Sequence, residues 1–398
     1  MGDKRGYLRL IDSCQIENRI YFMNHTFNGM FYLDTQDLSV HFVHRFSNGQ
    51  GDALSMSSVS LVYKDVIYFF PAKANAIMGY DLTRKQERII PFPIQYFQEK
   101  NCLLGGIIRS GDIVYMFSSN LERGIYTFDL QTEKIDKEIE LSRLFVSGFP
   151  CGNIFFRNNY CVLLSMGGGN QFIEINLQTK EIVYSKKFRE DVKIFSVCFD
   201  GKNFWILQEG STDIYEWNKE EDILQVYTNE NAVWGDRQDI PYSNLIFLEN
   251  EILVLNCHMK NILRINKEKK TIGEPIAFPE GFEIVVENKF PGRPVCEHYT
   301  VLGDEVLLYP GNGNMLLIYD IATCQLSGKD ISVSLEEDSA LRETLKGSFM
   351  REAPFRERNN LWSTLDDYVN IIKADEDSGS ISFFKEQSGK LIYQNCHN

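Results

Sequence analysis

Short apolar runs of five to eight residues, broken by Asn, Asp, Gly and charged pairs, recur along most of this chain. The runs are rich in Ile, Val, Tyr, Phe and Leu and partly alternate, which is the pattern of strands rather than helices. Residues 102–141 show the unit in full: CLLGGIIRS, DIVYMFSS, GIYTFDL and KIDKEIEL. Ile20, Ile67, Val114, Val162, Phe204, Leu253 and Leu307 mark the second run of each copy, at spacings of 47, 47, 48, 42, 49 and 54 residues. An Asp or Asn follows each marker after 14, 14, 15, 14, 14, 13 and 13 residues: Asp34, Asp81, Asp129, Asn176, Asn218, Asn266 and Asp320.

Each copy predicts four antiparallel strands. The first two are joined by a tight turn at Glu17-Asn18, Lys64-Asp65, Gly111-Asp112, Asn158-Asn159, Asp200-Gly201, Glu249-Asn250 and Gly303-Asp304. Asn, Asp and Gly tolerate the positive φ that such turns need. The repeated Asp or Asn ends the third strand, where its side chain can bond the backbone two residues on. Seven four-stranded units predict an all-β, seven-bladed β-propeller over residues 1–333, with blades near 7–46, 54–92, 102–141, 150–188, 192–229, 241–278 and 297–333. Blades one and seven each contain four strands, so closure is expected to rest on packing between them.

Residues 334–398 form a different kind of segment, a small helical extension expected to pack on the propeller. Ser334 and Glu337 make a capping box, and Gly347 is placed to end that helix. Leu365, Tyr368, Val369 and Ile372 fall on one face of a second helix starting near Ser363. ISFFKEQSGKLIYQN then reads as a terminal hairpin, a partial blade, or a strand added to an edge.

The third runs, with IYTFDLQTEK, MFYLDTQD and FIEINLQTK, resemble blades of the kelch and quinoprotein-like propeller groups. The resemblance covers roughly residues 7–333 and implies the fold. It implies no catalytic residues: the kelch double glycine after the second strand is missing from most copies, and Gly105-Gly106 lies in a first strand instead. The Trp-Asp dipeptide and the tryptophan-docking motif are also missing.

Composition narrows the function classes. A formal net charge of −14 disfavours nucleic acid and anionic membranes as partners. Nine cysteines scattered through strands predict thiols in a reducing, cytoplasmic setting. The start, MGDKRGYLRLIDSC, carries no signal-peptide core, and no run is long enough to span a bilayer as a helix. Metal signals are thin: Cys257-His258, Cys296-x-His298, Cys396-His397 and His41-x-x-His44 give no four convergent ligands. No metal or cofactor is expected. Gly167-Gly168-Gly169 lacks a following helix and Lys, so it reads as a hairpin loop rather than a phosphate cradle.

Function is sought on the loops, because a rigid scaffold carries its variable chemistry there. The longest connections are 229–243 and 278–298, on the face where strand-four-to-strand-one connections gather. They offer Trp234, Asp236, Arg237, Asp239, Tyr242, Glu287, Lys289, Arg293 and His298. The same face is expected to gather Tyr96, Phe97, Gln98, Glu99, Asn24, His25, Asn120, Arg123, Gln208, Glu209, His258 and Asn312. Aromatic, Arg and carboxylate groups together suit a saccharide or peptide site. Two function classes are consistent with this. One is a non-catalytic binding or scaffold propeller for a peptide, protein or glycan. The other is a lyase or hydrolase acting on a sugar or small metabolite. There Trp234 would stack on a ring, Arg237 or Arg293 would hold an anion, and Asp236, Asp239 or Glu287 would serve as acid or base. Enzymatic activity and oligomeric state are left open.

Overall fold

The computed structural model describes residues 10–24, 29–47, 57–71, 74–92, 104–118, 125–139, 149–150, 155–157, 160–166, 170–176, 178–179, 181–229, 241–257, 261–282, 295–310, 315–329, 333–334, 372–375, 380–387 and 390–397. Among these every regular element is a strand. They group into seven antiparallel blades whose strands pair in chain order, a seven-bladed β-propeller.

Contact density divides the chain into two compact units, Met1–Ile89 with Phe278–Asn398, and Ile90–Ala277. In the first unit, blade one is β1 (Leu10–Ile16), β2 (Arg19–Asn24), β3 (Gly29–Asp34) and β4 (Val40–Arg45). Blade two is β5 (Ser57–Tyr63), β6 (Val66–Pro71), β7 (Ala76–Asp81) and β8 (Gln86–Pro91). In the second unit, blade three is β9 (Leu104–Ser110), β10 (Ile113–Ser118), β11 (Ile125–Asp129) and β12 (Lys134–Ile139). Blade four is β13 (Phe149–Pro150), β14 (Phe155–Arg157), β15 (Tyr160–Met166), β16 (Gln171–Asn176) and β17 (Glu181–Lys187), its first strand being in two pieces that both pair with β15.

Blade five is β18 (Ile194–Phe199), β19 (Phe204–Gln208), β20 (Ile214–Asn218) and β21 (Ile223–Tyr227). Blade six is β22 (Tyr242–Phe247), β23 (Glu251–Asn256), β24 (Asn261–Asn266), β25 (Thr271–Ile272) and β26 (Ile276–Ala277). Its outer strand breaks at Gly273-Glu274-Pro275, where proline has no N–H for the ladder. The first unit resumes with blade seven: β27 (Cys296–Leu302), β28 (Glu305–Pro310), β29 (Leu316–Asp320) and β30 (Gln325–Lys329).

The described anchors of the repeat, Ile20, Ile67, Val114, Phe204, Leu253 and Leu307, are all buried. Neighbouring blades bury aromatic faces against each other. Tyr21, Met23 and Met30 of blade one share a core with Ile67, Phe69 and Met78 of blade two. Phe172 and Phe188 of blade four share one with Phe204 and Trp217 of blade five.

The repeated Asp or Asn has one job in all seven blades. Oδ1 accepts backbone N–H bonds two or three residues on: Gln36 to Asp34 at 2.9 Å, Arg84 to Asp81 at 2.8 Å, and Gln131 and Thr132 to Asp129 at 2.8 and 3.0 Å. In the other blades Gln178 and Thr179 donate to Asn176, Glu220 and Glu221 to Asn218, Lys269 to Asn266, and Thr323 to Asp320, at 2.7–3.1 Å. Four residues after the Asx, the chain turns through positive φ at Leu38, Lys85, Glu133, Asp222, Lys270 and Cys324, none of them glycine.

The next N–H after the Asx bonds back to the turn between strands one and two. Thr35 donates to the Asn18 carbonyl at 2.8 Å, Leu82 to Asp65 at 2.9 Å, Leu130 to Asp112 at 2.8 Å, Lys267 to Asn250 at 3.2 Å and Ile321 to Asp304 at 2.8 Å. This closed contact explains the near-constant 13–15-residue offset. In four of those five turns the positive φ falls on the first residue, on Glu17 and Lys64 as well as Gly111 and Gly303. In blades one and two the Asn or Asp therefore supplies the carbonyl rather than the left-handed backbone.

The expected helices at 334–347 and after Ser363 lie outside the described residues, apart from two positions. Ser334 lies in β31 (Val333–Ser334). Ile372 opens β32 (Ile372–Asp375), pairing Phe383 rather than completing a helical face; its β-branched side chain suits a strand. The terminal hairpin is β33 (Ser380–Gln387) and β34 (Lys390–His397), joined from Ser380↔His397 to Gln387↔Lys390.

Candidate functional site

At the end of blades five and six where the 229–243 connection begins and ends, the buried polar side chains among the described residues are neutral. Tyr242 opens β22 and lies opposite Asn256, the last residue of β23. The Tyr242 ring is fully buried in a cluster with Leu207, Ile214, Leu245 and Val254. Its hydroxyl accepts a 3.3 Å hydrogen bond from Nδ2 of Asn229. Burial pushes that hydroxyl up to about 12; Asn229 opposes the shift and the charge of Asp213 adds to it. Tyr242 is therefore protonated at neutral pH.

Gln208 ends β19 beside it. It is buried, and its Nε2 donates to the Asp213 carbonyl at 3.2 Å. The Asp213 N–H in turn bonds Ser211 Oγ at 3.1 Å, after Gly210 turns the loop through φ 73°. In blade six, Asn256 is 2% exposed. Its Nδ2 donates to the backbone carbonyl of Asn261 at 2.6 Å and to Asn261 Oδ1 at 2.5 Å, which folds the loop back on itself. Its Oδ1 is buried and accepts nothing among the described residues. An amide oxygen in that state costs on the order of 1–3 kcal/mol unless a donor reaches it. Next in the chain, Cys257 places its N–H on the Pro241 carbonyl at 2.9 Å. Burial pushes its thiol up to about 12, the Ser243 hydroxyl acting the other way. A thiol held protonated is a poor nucleophile and a poor metal ligand.

These groups offer donors and acceptors without a charge to transfer. No set of three or more His, Cys, Asp or Glu placed to hold a metal ion occurs among the described residues.

Of the residues singled out from sequence, Tyr242 is thus a buried member of this end. His298 is half-buried on β27 of blade seven, in the other unit. Trp234, Asp236, Arg237, Asp239, Glu287, Lys289 and Arg293 lie outside the described residues. So do residues 96–99 and 167–169, and His25, Asn120, Arg123, His258 and Asn312. Gln208 is buried as given above, and the Glu209 N–H bonds the Lys193 carbonyl at 2.9 Å. His41 and His44 make separate contacts. His41 stacks on Tyr32 with centroids 4.7 Å apart, and His44 Nε2 lies 3.2 Å from Glu87 Oε2 of blade two. Asn229 and Asn256 were not singled out. Their signal is a polar residue closing an otherwise apolar run, as in EILVLN.

The pattern Asp37, Ser39 and His41 is no nucleophile triad. Ser39 Oγ donates to Asp37 Oδ1 at 2.6 Å and meets His41 Nε2 at 2.8 Å, so the hydroxyl proton is already given to the carboxylate.

No protein-family model matches the chain, and no curated protein matches it. Solved structures do. The computationally designed Ika8 protein aligns over 99% of this chain and 100% of its own, at TM-score 0.53 and 10% identity. A complex of KlAtg21 with the coiled-coil of AgAtg16 aligns over 82% of this chain and 99% of that one, at TM-score 0.55 and 13% identity. Identities this low show a shared fold alone. The described residues contain no helix long and apolar enough to cross a membrane.

Proposed function

We propose that the protein is a non-catalytic binding or scaffold propeller, and that it recognises a peptide, protein or glycan at the loop end of blades five and six. The observation that carries this reading is the buried amide and hydroxyl set of Asn229, Tyr242, Gln208 and Asn256, in which Asn256 Oδ1 accepts nothing among the described residues. Neutral groups of this kind fix orientation by hydrogen bonding. The Tyr242 and Cys257 protons are both held too tightly to serve as acid or base near neutrality. In this reading Trp234, Asp236, Arg237 and Asp239 of that connection are the candidate ligand-binding groups, Trp234 for stacking and Arg237 for polar contacts. Thiols at Cys14, Cys198, Cys257, Cys296 and Cys324 suit a cytoplasmic setting. The kelch-like resemblance fits a binding role and adds no chemistry.

Titration calorimetry with extended peptides and with neutral oligosaccharides tests the proposal. Saturable heat from one class, reduced at least tenfold in Trp234→Ala, supports it. Heat equal in wild type and Trp234→Ala places the ligand elsewhere.

A further inference from the structure

Blades one and seven each take four strands from contiguous sequence, so neither lends a strand to the other. Their inner strands β1 and β27 lie side by side. The chain after blade seven ties the two together a second time, at the outer edge. Lys329, the last residue of β30, donates from Nζ to the backbone carbonyl of Asp37 in the turn before β4. Four residues on, Val333 pairs in parallel with Val40, the first residue of β4. The other edge of β31 pairs with the C-terminal strand, Val333 with Leu391 and Ser334 with Lys390. β31 is thus a two-residue bridge between blade one and the final three-stranded sheet. The resulting order is β1-β2-β3-β4-β31-β34-β33-β32.

We propose that Lys329 and β31 are a clasp that fixes blade seven to the outer edge of blade one, and that β32–β34 are the element anchored to blade one through it. The Asp37 turn is prepared to receive it. Asp37 Oδ1 takes bonds from the Ser39 hydroxyl at 2.6 Å and the Ser39 N–H at 2.8 Å, which hold its carboxyl below the usual range and fix the turn. The carbonyl that Lys329 reaches is therefore presented by a rigid turn. An outer strand otherwise exposes unpaired N–H and C=O groups to any extended chain. Here β31 takes that edge at Val40, and β34 continues the sheet from the far side of β31. The clasp is short: the Lys329 bond to the Asp37 carbonyl and one backbone pair, Val333 against Val40.

The test uses the full chain with Val40→Cys and Val333→Cys together. Neighbouring strands lie about 4.8 Å apart, within the span a disulfide bridges. Mild oxidation is expected to give a peptide linking positions 40 and 333 by mass mapping, and to raise Tm by roughly 5 °C, reversed by dithiothreitol. Val333→Pro, which takes one N–H out of β31 and is disfavoured inside a paired strand, is expected to lower Tm by several degrees, whereas Val333→Thr keeps the β31 backbone and leaves Tm near wild type. Failure of the 40–333 link to form overturns the proposal, as does a Val333→Pro chain that melts with Val333→Thr.

Discussion

The Tyr227 hydroxyl donates a 2.6 Å hydrogen bond to Oε2 of Glu216, and both residues are buried in blade five. Glu216 Oε1 accepts Nδ2 of Asn203 at 2.6 Å, and Lys270 of blade six brings Nζ to 3.7 Å from Oε2. A carboxylate taken out of water is tolerated only where its lone pairs are filled in this way. Burial pushes the Tyr227 hydroxyl far above its usual range and Glu216 adds to the shift, so it always donates. Tyr227→Phe leaves the carboxylate short of a donor and is expected to cost about 1–3 kcal/mol. The check is a lower urea midpoint at unchanged m.

The Asx turns predict an acid limb. Backbone N–H donors hold Asp129 and Asp320 below the usual carboxylate range. The backbone N–H of Arg84 does the same for Asp81, with Arg88 assisting. Because the folded value is depressed, these groups stabilise the fold above the ordinary aspartate range, and the contribution is lost as pH falls through that range and below. Tm is expected to fall from about pH 5 toward pH 3. Blades four, five and six already use Asn176, Asn218 and Asn266 for the same bonds. Asp129→Asn should therefore fold normally and flatten the acid slope, while Asp129→Ala should lose stability at every pH.

Lys85 holds φ 55° on an exposed turn. The left-handed region costs an L-residue about 1–2 kcal/mol, and glycine's extra unfolded-state entropy returns about 0.5–1 kcal/mol of that. Lys85→Gly is expected to gain up to about 1 kcal/mol by denaturant melting. Gly303 has φ 58° and open space where a Cβ would sit. Gly303→Ala should lose about 1 kcal/mol through the backbone alone.

Trp217 is the node between blades four and five. Its ring lies 5.0 Å from Phe172, 5.1 Å from Phe188 and 5.5 Å from Phe204, and it is fully buried. Trp217→Ala should cost about 3–5 kcal/mol, and Trp217→Phe less, because it keeps a ring in the cavity. Chemical denaturation followed by circular dichroism measures both.

The blades were legible because their causes are local. An apolar run, a tight turn and an Asx residue 13–15 positions on make one closed contact, as Thr35 N–H on the Asn18 carbonyl shows. The contacts between blades were not legible. Glu216 with Lys270, and Lys329 with Asp37, join residues whose separation carries no periodic signal. Of the candidate site, the described residues include Tyr242 of the 229–243 connection. Its sequence context did not show that it is a core side chain, since an aromatic beside a long loop reads the same whether its ring faces ligand or core. Ile372 shares the helical spacing of Leu365, Tyr368 and Val369 yet opens a strand, because a β-branched residue in a short apolar run fits either period.

The most direct test of the binding account is thermal denaturation against a panel of peptides, neutral oligosaccharides and sugar acids, with each compound assayed for conversion in the same wells. Binding to the folded state alone raises Tm by mass action. The account predicts a shift from one class that disappears in Trp234→Ala and Arg237→Ala, with the compound recovered unchanged. Conversion of any panel member that is abolished by Asp236→Asn, Asp239→Asn or Glu287→Gln would contradict it.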